Sequence, residues 1–132
     1  MSRLLLDTTF LVDAERDAAS LELAVADDDD VAVAAISIAE LGVGVRRATG
    51  KRRRARQAFL DDLVETVPVS PYDLTVAASH TELLVAVREA GRPRGAHDLV
   101  IAATARAAGR DVVSADPAGF EDLPGVALRP HR

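Results

Sequence analysis

Short apolar runs, set apart by longer stretches of helical periodicity, constrain this chain more than any other feature. Leu4–Leu6, Val31–Ala35, Val67–Val69, Asp111–Ser114 and Val126–Leu128 have the length of strands. Between them, apolar residues recur at helical spacing, as Ala55, Phe59, Leu60 and Leu63 do. Strands alternating with helices of this length give β-α-β units, and so a mainly parallel sheet covered by helices. At 132 residues, with no repeat or linker, the chain is expected to form one domain with one buried core.

The punctuation residues divide the helical stretches. Helices are predicted over Thr8–Asp17 and Ala18–Ala26, the second ended by Asp27-Asp28-Asp29-Asp30, which reads as a solvated acidic loop. Ser37 is expected to N-cap a helix that runs to about Thr49 and stops at Gly50. Another spans Lys51–Val64. Pro71 suits the first turn of a long helix over Tyr72–Ala90, closed by Gly91 and Pro93. Ala96–Ala108 is the last, with Gly109 as its stop.

Four acids stand where these runs give way to a turn or a helix start: Asp7 after Leu4–Leu6, Glu40 after Val31–Ile36, Asp98 opening Asp98-Leu99-Val100-Ile101, and Asp116 after Val112-Val113-Ser114-Ala115. Parallel α/β sheets gather their active-site groups at strand ends. Four carboxylates brought together repel one another unless a cation sits among them. An all-oxygen donor set suits a hard divalent ion rather than zinc. The constellation therefore points to metal-dependent hydrolysis of phosphodiesters.

Each acid also has a purely structural account. Asp7 or Thr8 could cap the following helix. Ser37-Ile38-Ala39-Glu40 matches a capping box, which would tie Glu40 to the helix start and compete with metal binding. Asp98 could be a dipole partner in a first turn, and Asp116 a turn residue before Pro117. Thr9 and Ser114 are candidate orienting hydroxyls. His97 adjoins Asp98, whereas His80 falls mid-helix and His131 in the tail, so a paired-histidine mechanism finds no support.

Composition narrows the field. Hydrophobic residues make up 48% of the chain and aromatics only 3%, so the interior is aliphatic and base-stacking platforms are lacking. The absence of cysteine excludes a disulfide scaffold, a thiolate nucleophile and a Cys-bearing zinc site. No run approaches the ~20 apolar residues of a membrane span, and Asp7 interrupts the N-terminal leucines too early for a signal peptide, so a cytoplasmic protein is expected. The formal net charge is −5, the wrong sign for bulk attraction to a nucleic acid. A polyanionic substrate would have to be met by metal ions and a local basic patch. Arg46, Arg47 and Arg53, in the cluster that runs to Arg56, and Arg92 are candidate phosphate contacts.

Taken in order, Asp7-Thr8-Thr9, Glu40-Leu41 after Ile36-Ser37, Asp98-Leu99-Val100-Ile101-Ala102-Ala103-Thr104-Ala105, and Val112-Val113-Ser114-Ala115-Asp116 with Phe120 and Leu123-Pro124-Gly125-Val126 after it resemble the PIN-domain ribonucleases, and among them the VapC-type toxins of bacterial toxin–antitoxin pairs. The likeness covers essentially the whole chain. It implies a PIN-like three-layer α/β sandwich and a Mg²⁺- or Mn²⁺-dependent endoribonuclease acting on RNA with Asp7, Glu40, Asp98 and Asp116 as its acids. It also implies a homodimer and a small cognate antitoxin that enters the active site through its C-terminal segment. Many relatives carry a polar or acidic residue just before the aromatic, where this chain has Gly119, which leaves Asp116 as the candidate for the fourth acid. A phosphoacceptor receiver domain is disfavoured because the only lysine is Lys51, and a haloacid-dehalogenase-type phosphatase because Thr9 stands where a second Asp is needed. A non-catalytic PIN-like module that binds RNA or protein is the alternative.

Overall fold

Leu4, Leu5 and Leu6 are all but inaccessible to solvent, because the strand that carries them lies in the middle of the sheet with a neighbour on each side. The structure, a computed structural model, describes residues 1–130; His131 lies outside them. In chain order the elements are β1 (Arg3–Leu6), α1 (Thr8–Arg16), α2 (Ala18–Ala24), β2 (Asp30–Ala34), α3 (Ala35–Arg47), α4 (Gly50–Thr66), β3 (Val69–Ser70), α5 (Leu74–Ala90), α6 (Ala96–Ala108), β4 (Asp111–Ser114) and β5 (Leu128–Pro130), with a 3₁₀ turn at Pro117–Gly119. The five strands pair in the order β3-β2-β1-β4-β5, and every pairing is parallel.

Register explains the layering. Leu5 lies opposite Ala32 and Val112, while Leu6 lies opposite Val33 and Val113. Successive strand residues point to opposite faces. Leu5, Ala32, Ala34 and Val112 therefore join Leu83 of α5 and Leu99, Ile101 and Ala102 of α6 on one side. Leu4, Leu6, Val33 and Val113 join Phe10 and Leu11 of α1 and Leu63 of α4 on the other. The result is the expected three-layer α/β sandwich. Each of these large side chains contributes about 1.5–3 kcal/mol by leaving water.

Several boundaries differ from the sequence reading. Helix α3 starts at Ala35, directly after β2, with Ala34 as an N-cap whose methyl makes no capping hydrogen bond. Ser37 is thus inside the helix, fully buried, and there is no capping box. Gly50 does not stop a helix; it is the first residue of α4. Pro71 stands outside α5, which begins after Asp73, whose carboxylate accepts from the Val76 N–H at 2.9 Å. Val67 closes α4 by donating to Leu63 O, which moves β3 to Val69–Ser70. Val126 donates to Leu123 O in a turn, which delays the last strand to Leu128. Gly91 and Gly109 do close α5 and α6, both left-handed at φ 65°, where a Cβ is disfavoured.

Asp27 and Asp28 of the acidic run are exposed, as a solvated loop requires, but Asp29 and Asp30 act as a fastening. Asp29 accepts from the N–H groups of Ser2 and Ala26, and Asp30 pairs with Arg110 at 3.0 Å and Arg3 at 3.4 Å. These contacts tie the chain start and the opening of β2 to the residue before β4, at the sheet end remote from the four acids.

Candidate active site

Strand order reverses between β1 and β4, because the chain lays β2 and β3 to one side of β1 and then crosses to the other. Such a switch point leaves a crevice at the carboxyl ends of the strands. Asp7 follows the last residue of β1, and Ser114 ends β4 across the gap. Helices α3 and α6 bring in Glu40 and Asp98. All four acids named from the sequence line one cleft of about 300 Å³, together with Thr8, Thr9, Val12 and Asp13 of α1.

Asp7 is the most constrained of them, at 1% exposure. Its Oδ1 accepts from the Phe10 N–H at 2.8 Å, so it does cap α1. Its Oδ2 accepts from Ser114 Oγ at 2.5 Å, and the Thr9 hydroxyl reaches Oδ1 at 2.9 Å. Ser114 in turn accepts from the Asp116 N–H at 2.9 Å, and Thr9 from the Ala115 N–H at 3.2 Å. Two hydroxyls thus bind the Asp7 carboxylate to the backbone that carries Asp116. Capping and site membership coexist.

Glu40 is released by the early start of α3. Sitting in the second turn, it has no helix start within reach, and its oxygens go elsewhere. Oε1 accepts from the Thr8 hydroxyl at 2.7 Å, and Oε2 lies 3.1 Å from His97 Nδ1. Thr8 Oγ1 is also 3.0 Å from the Ser37 hydroxyl, so α1 is pinned to α3 beneath Glu40.

Asp98 stands in the first turn of α6, half-buried. Glycines frame it: a Cβ on Gly119 would lie 2.5 Å from Asp98 Oδ2, and one on Gly95 would lie 3.1 Å away. Arg94 Nη1 donates to the Gly119 carbonyl at 3.3 Å and holds the 3₁₀ turn against the acid. The departure at Gly119 acquires a physical reason, since any side chain there would displace Asp98 from its present position.

The carboxylates feel one another. Burial raises the Asp98 pKa above its ordinary value of 3.8, Glu40 and Asp116 raise it further, and His97 opposes them. Burial also raises Asp7; the hydrogen bonds from Ser114, Phe10 N–H and Thr9 counter this, and the Asp98 charge adds to the rise. Among the described residues no group of three His, Cys, Asp or Glu side chains is drawn together tightly enough to hold an ion by itself. The donor set still fits a cation such as Mg²⁺, which keeps several waters and is held by one or two carboxylates.

Sequence reasoning underrated three residues. Thr8 and His97 contact Glu40, and Asp13 adds a fifth acid to the cleft. The legible signal for Asp13 was its position four residues after Thr9, on the same helical face. The arginines chosen as phosphate contacts are not brought to the cleft. Arg46, Arg47 and Arg53 are exposed on α3 and α4, and Arg92 is 3.7 Å from Asp122. His80 is occupied with Tyr72, 2.8 Å from its hydroxyl.

Solved structures share this architecture. The VapBC2 complex from Rickettsia felis, bound to a DNA fragment from its promoter, is 26% identical with a TM-score of 0.85, over 97% of this chain and 98% of that one. VapBC-5 from Mycobacterium tuberculosis is 27% identical with a TM-score of 0.75, over 98% of each chain. The DNA-bound VapBC from Salmonella typhimurium matches over 100% of both chains with a TM-score of 0.87, but at 20% identity it speaks for the fold alone. No curated protein sequence matches significantly. The model of the PIN domain matches residues 4–126, nearly the whole of the chain, and the chain belongs to the PIN domain family.

Proposed function

We propose that this chain is a metal-dependent endoribonuclease, the toxin of a type II toxin–antitoxin pair, which hydrolyses RNA phosphodiester bonds and is neutralised by a small cognate antitoxin. The observation that carries the reading is the meeting of Asp7, Glu40, Asp98 and Asp116 in one cleft at the strand-order reversal. Asp7 and Asp98 would hold Mg²⁺ or Mn²⁺ directly, and Glu40 and Asp116 directly or through water. A divalent ion there supplies Lewis acidity, lowering the pKa of a water and offsetting charge on the scissile phosphate. The chain's own share is preorganisation. Ser114 and Thr9 fix the Asp7 carboxylate, Thr8 and His97 fix Glu40, and Gly119 leaves Asp98 its space.

The relatives named above are toxin–antitoxin complexes, which supports the partner. A separate groove of about 860 Å³ between α1, α2 and α4 supports it too: Leu6, Leu11 and Leu63 contribute apolar wall, and Glu15, Glu22 and Asp62 contribute charge. An amphipathic segment with basic flanks matches this groove in both respects.

The test is RNA cleavage by the purified chain in Mg²⁺ or Mn²⁺, with the product ends sequenced. Products with 3′-hydroxyl and 5′-phosphate ends, lost in chelator, are expected. Cyclic 2′,3′-phosphate ends, or full cleavage in excess chelator, would exclude the mechanism. RNA binding without turnover under any metal would establish the non-catalytic module instead.

A further inference from the structure

The acidic cleft does not end at Glu40. Thr8, Val12 and Glu40 also wall a neighbouring pocket of about 130 Å³ between α1, α3 and α4, which continues to Gly44, Phe59 and Arg56. Of the residues lining the cleft and this pocket, Arg56 alone is basic. It is half-buried, unlike the exposed run Lys51–Arg54 that precedes it on α4.

Arg56 is held in place. Its Nη1 donates to the Gly44 carbonyl at 2.9 Å, and its Nε lies 4.0 Å from Glu15 Oε1. The absence of a side chain at Gly44 leaves that carbonyl bare, and even a Cβ there would stop 3.8 Å from Nη1. A guanidinium carries five N–H donors in a rigid fork. The Gly44 contact engages one of them, while the Glu15 contact is an ion pair beyond hydrogen-bond reach, so donors remain for a ligand. Because the fork is already ordered, little side-chain freedom remains to be lost on binding.

We propose that this pocket is the subsite for a phosphate of single-stranded RNA that flanks the scissile one, with Arg56 as its ligand. The inference rests on the nuclease reading. A strand entering the cleft is repelled by the carboxylates wherever metal does not offset them. A fixed guanidinium one pocket away counters that repulsion at one backbone position and so sets how the strand lies across the acids. The half-buried Phe59 side chain, packed against the core, gives the pocket an apolar wall.

The experiment uses the full chain carrying Asp98→Asn, so that RNA is bound but not cut. A fluorescein-labelled random-sequence single-stranded oligoribonucleotide is titrated by anisotropy across a salt series in Mg²⁺ buffer. Adding Arg56→Met, which keeps the aliphatic stem, is expected to weaken binding about tenfold and to reduce the slope of log affinity against log salt by about 0.7, the loss of one phosphate contact on a single strand. Arg56→Lys is expected to retain the slope. As a second measurement that needs no substitution at this position, RNA should protect Arg56 from phenylglyoxal, read by peptide mass mapping. Unchanged affinity and slope, or a modification rate indifferent to RNA, overturns the subsite alone. Failure of the Asp98→Asn chain to bind RNA at all overturns the nuclease reading with it.

Discussion

At the scale of single residues, Asp98 separates a site carboxylate from a structural cap. The raised pKa values of Asp98 and Asp7 mean that the folded chain retains protons the unfolded chain has released, over an interval that opens at 3.8. Stability from these groups is complete below that interval and is lost as pH climbs through it. Metal-free Asp98→Asn should therefore melt at the same temperature as the parent or higher, with a shallower loss of stability as pH rises above 3.8. Comparing the two proteins cancels the opposite contribution of Asp29, whose pKa is lowered by the N–H groups of Ala26 and Ser2. Thermal melts in chelator across that range decide it, and a marked loss of stability in the variant would make Asp98 structural. Gly119→Ala tests the same carboxylate from its neighbour. The added Cβ would meet the far end of a short side chain, so the fold should survive while Asp98 swings away. Displacement of about 1 Å can cost on the order of a hundredfold in rate. A single-turnover rate within twofold of the parent would show that the close approach does not matter.

The informative element is the junction of α1 with α3. Because α3 begins two residues before Ser37, the buried Ser37 hydroxyl is paired with Thr8 instead of a helix N-terminus, and Glu40 turns toward the cleft. Thr8→Val, similar in shape but without the hydroxyl, removes the donor to Glu40 and leaves Ser37 short of a partner. Leaving a buried polar group unsatisfied costs about 1–3 kcal/mol. Denaturant unfolding should register a loss in that range, and cleavage per folded molecule should also fall, because Glu40 loses its Thr8 donor and keeps its His97 contact. A stability loss with unchanged cleavage would make the junction scaffolding alone.

For the whole molecule, the proposed ion would be coupled to folding by mass action. Any ion that binds only the folded state stabilises it by mass action, by about 2.7 kcal/mol at a hundred times its dissociation constant. Titrating Mn²⁺ should therefore raise the melting temperature of the parent and leave Asp98→Asn nearly unmoved; equal shifts in both would place the ion elsewhere. Leu74, Ala78, Thr81 and Val85 form an exposed stripe along one face of α5. No described helix is long and apolar enough to cross a membrane.

What the amino-acid order determined by itself was the local part. Apolar runs of strand length, with helical spacing between them, prescribe the α/β layering, because the period of burial is written along the chain. Ala96–Ala108, Asp111–Ser114 and the left-handed glycines Gly91 and Gly109 fall where they were expected, since propensity, capping and packing agree there. Asp7 and Asp116 were legible because strand ends are marked by the same pattern, and Asp98 because it opens an apolar helical run, whereas Glu40 lies in the second turn of α3. Only the tertiary structure decided which competing local bond each polar group makes. Ser37 pairs with Thr8, 29 residues earlier, rather than capping a helix, Asp29 and Asp30 became a fastening because Ser2 and Arg110 meet them from other elements, and Arg56 rather than Arg53 lines the pocket because its guanidinium meets Gly44 of α3. Such choices depend on distances between segments far apart in sequence, which no local pattern encodes.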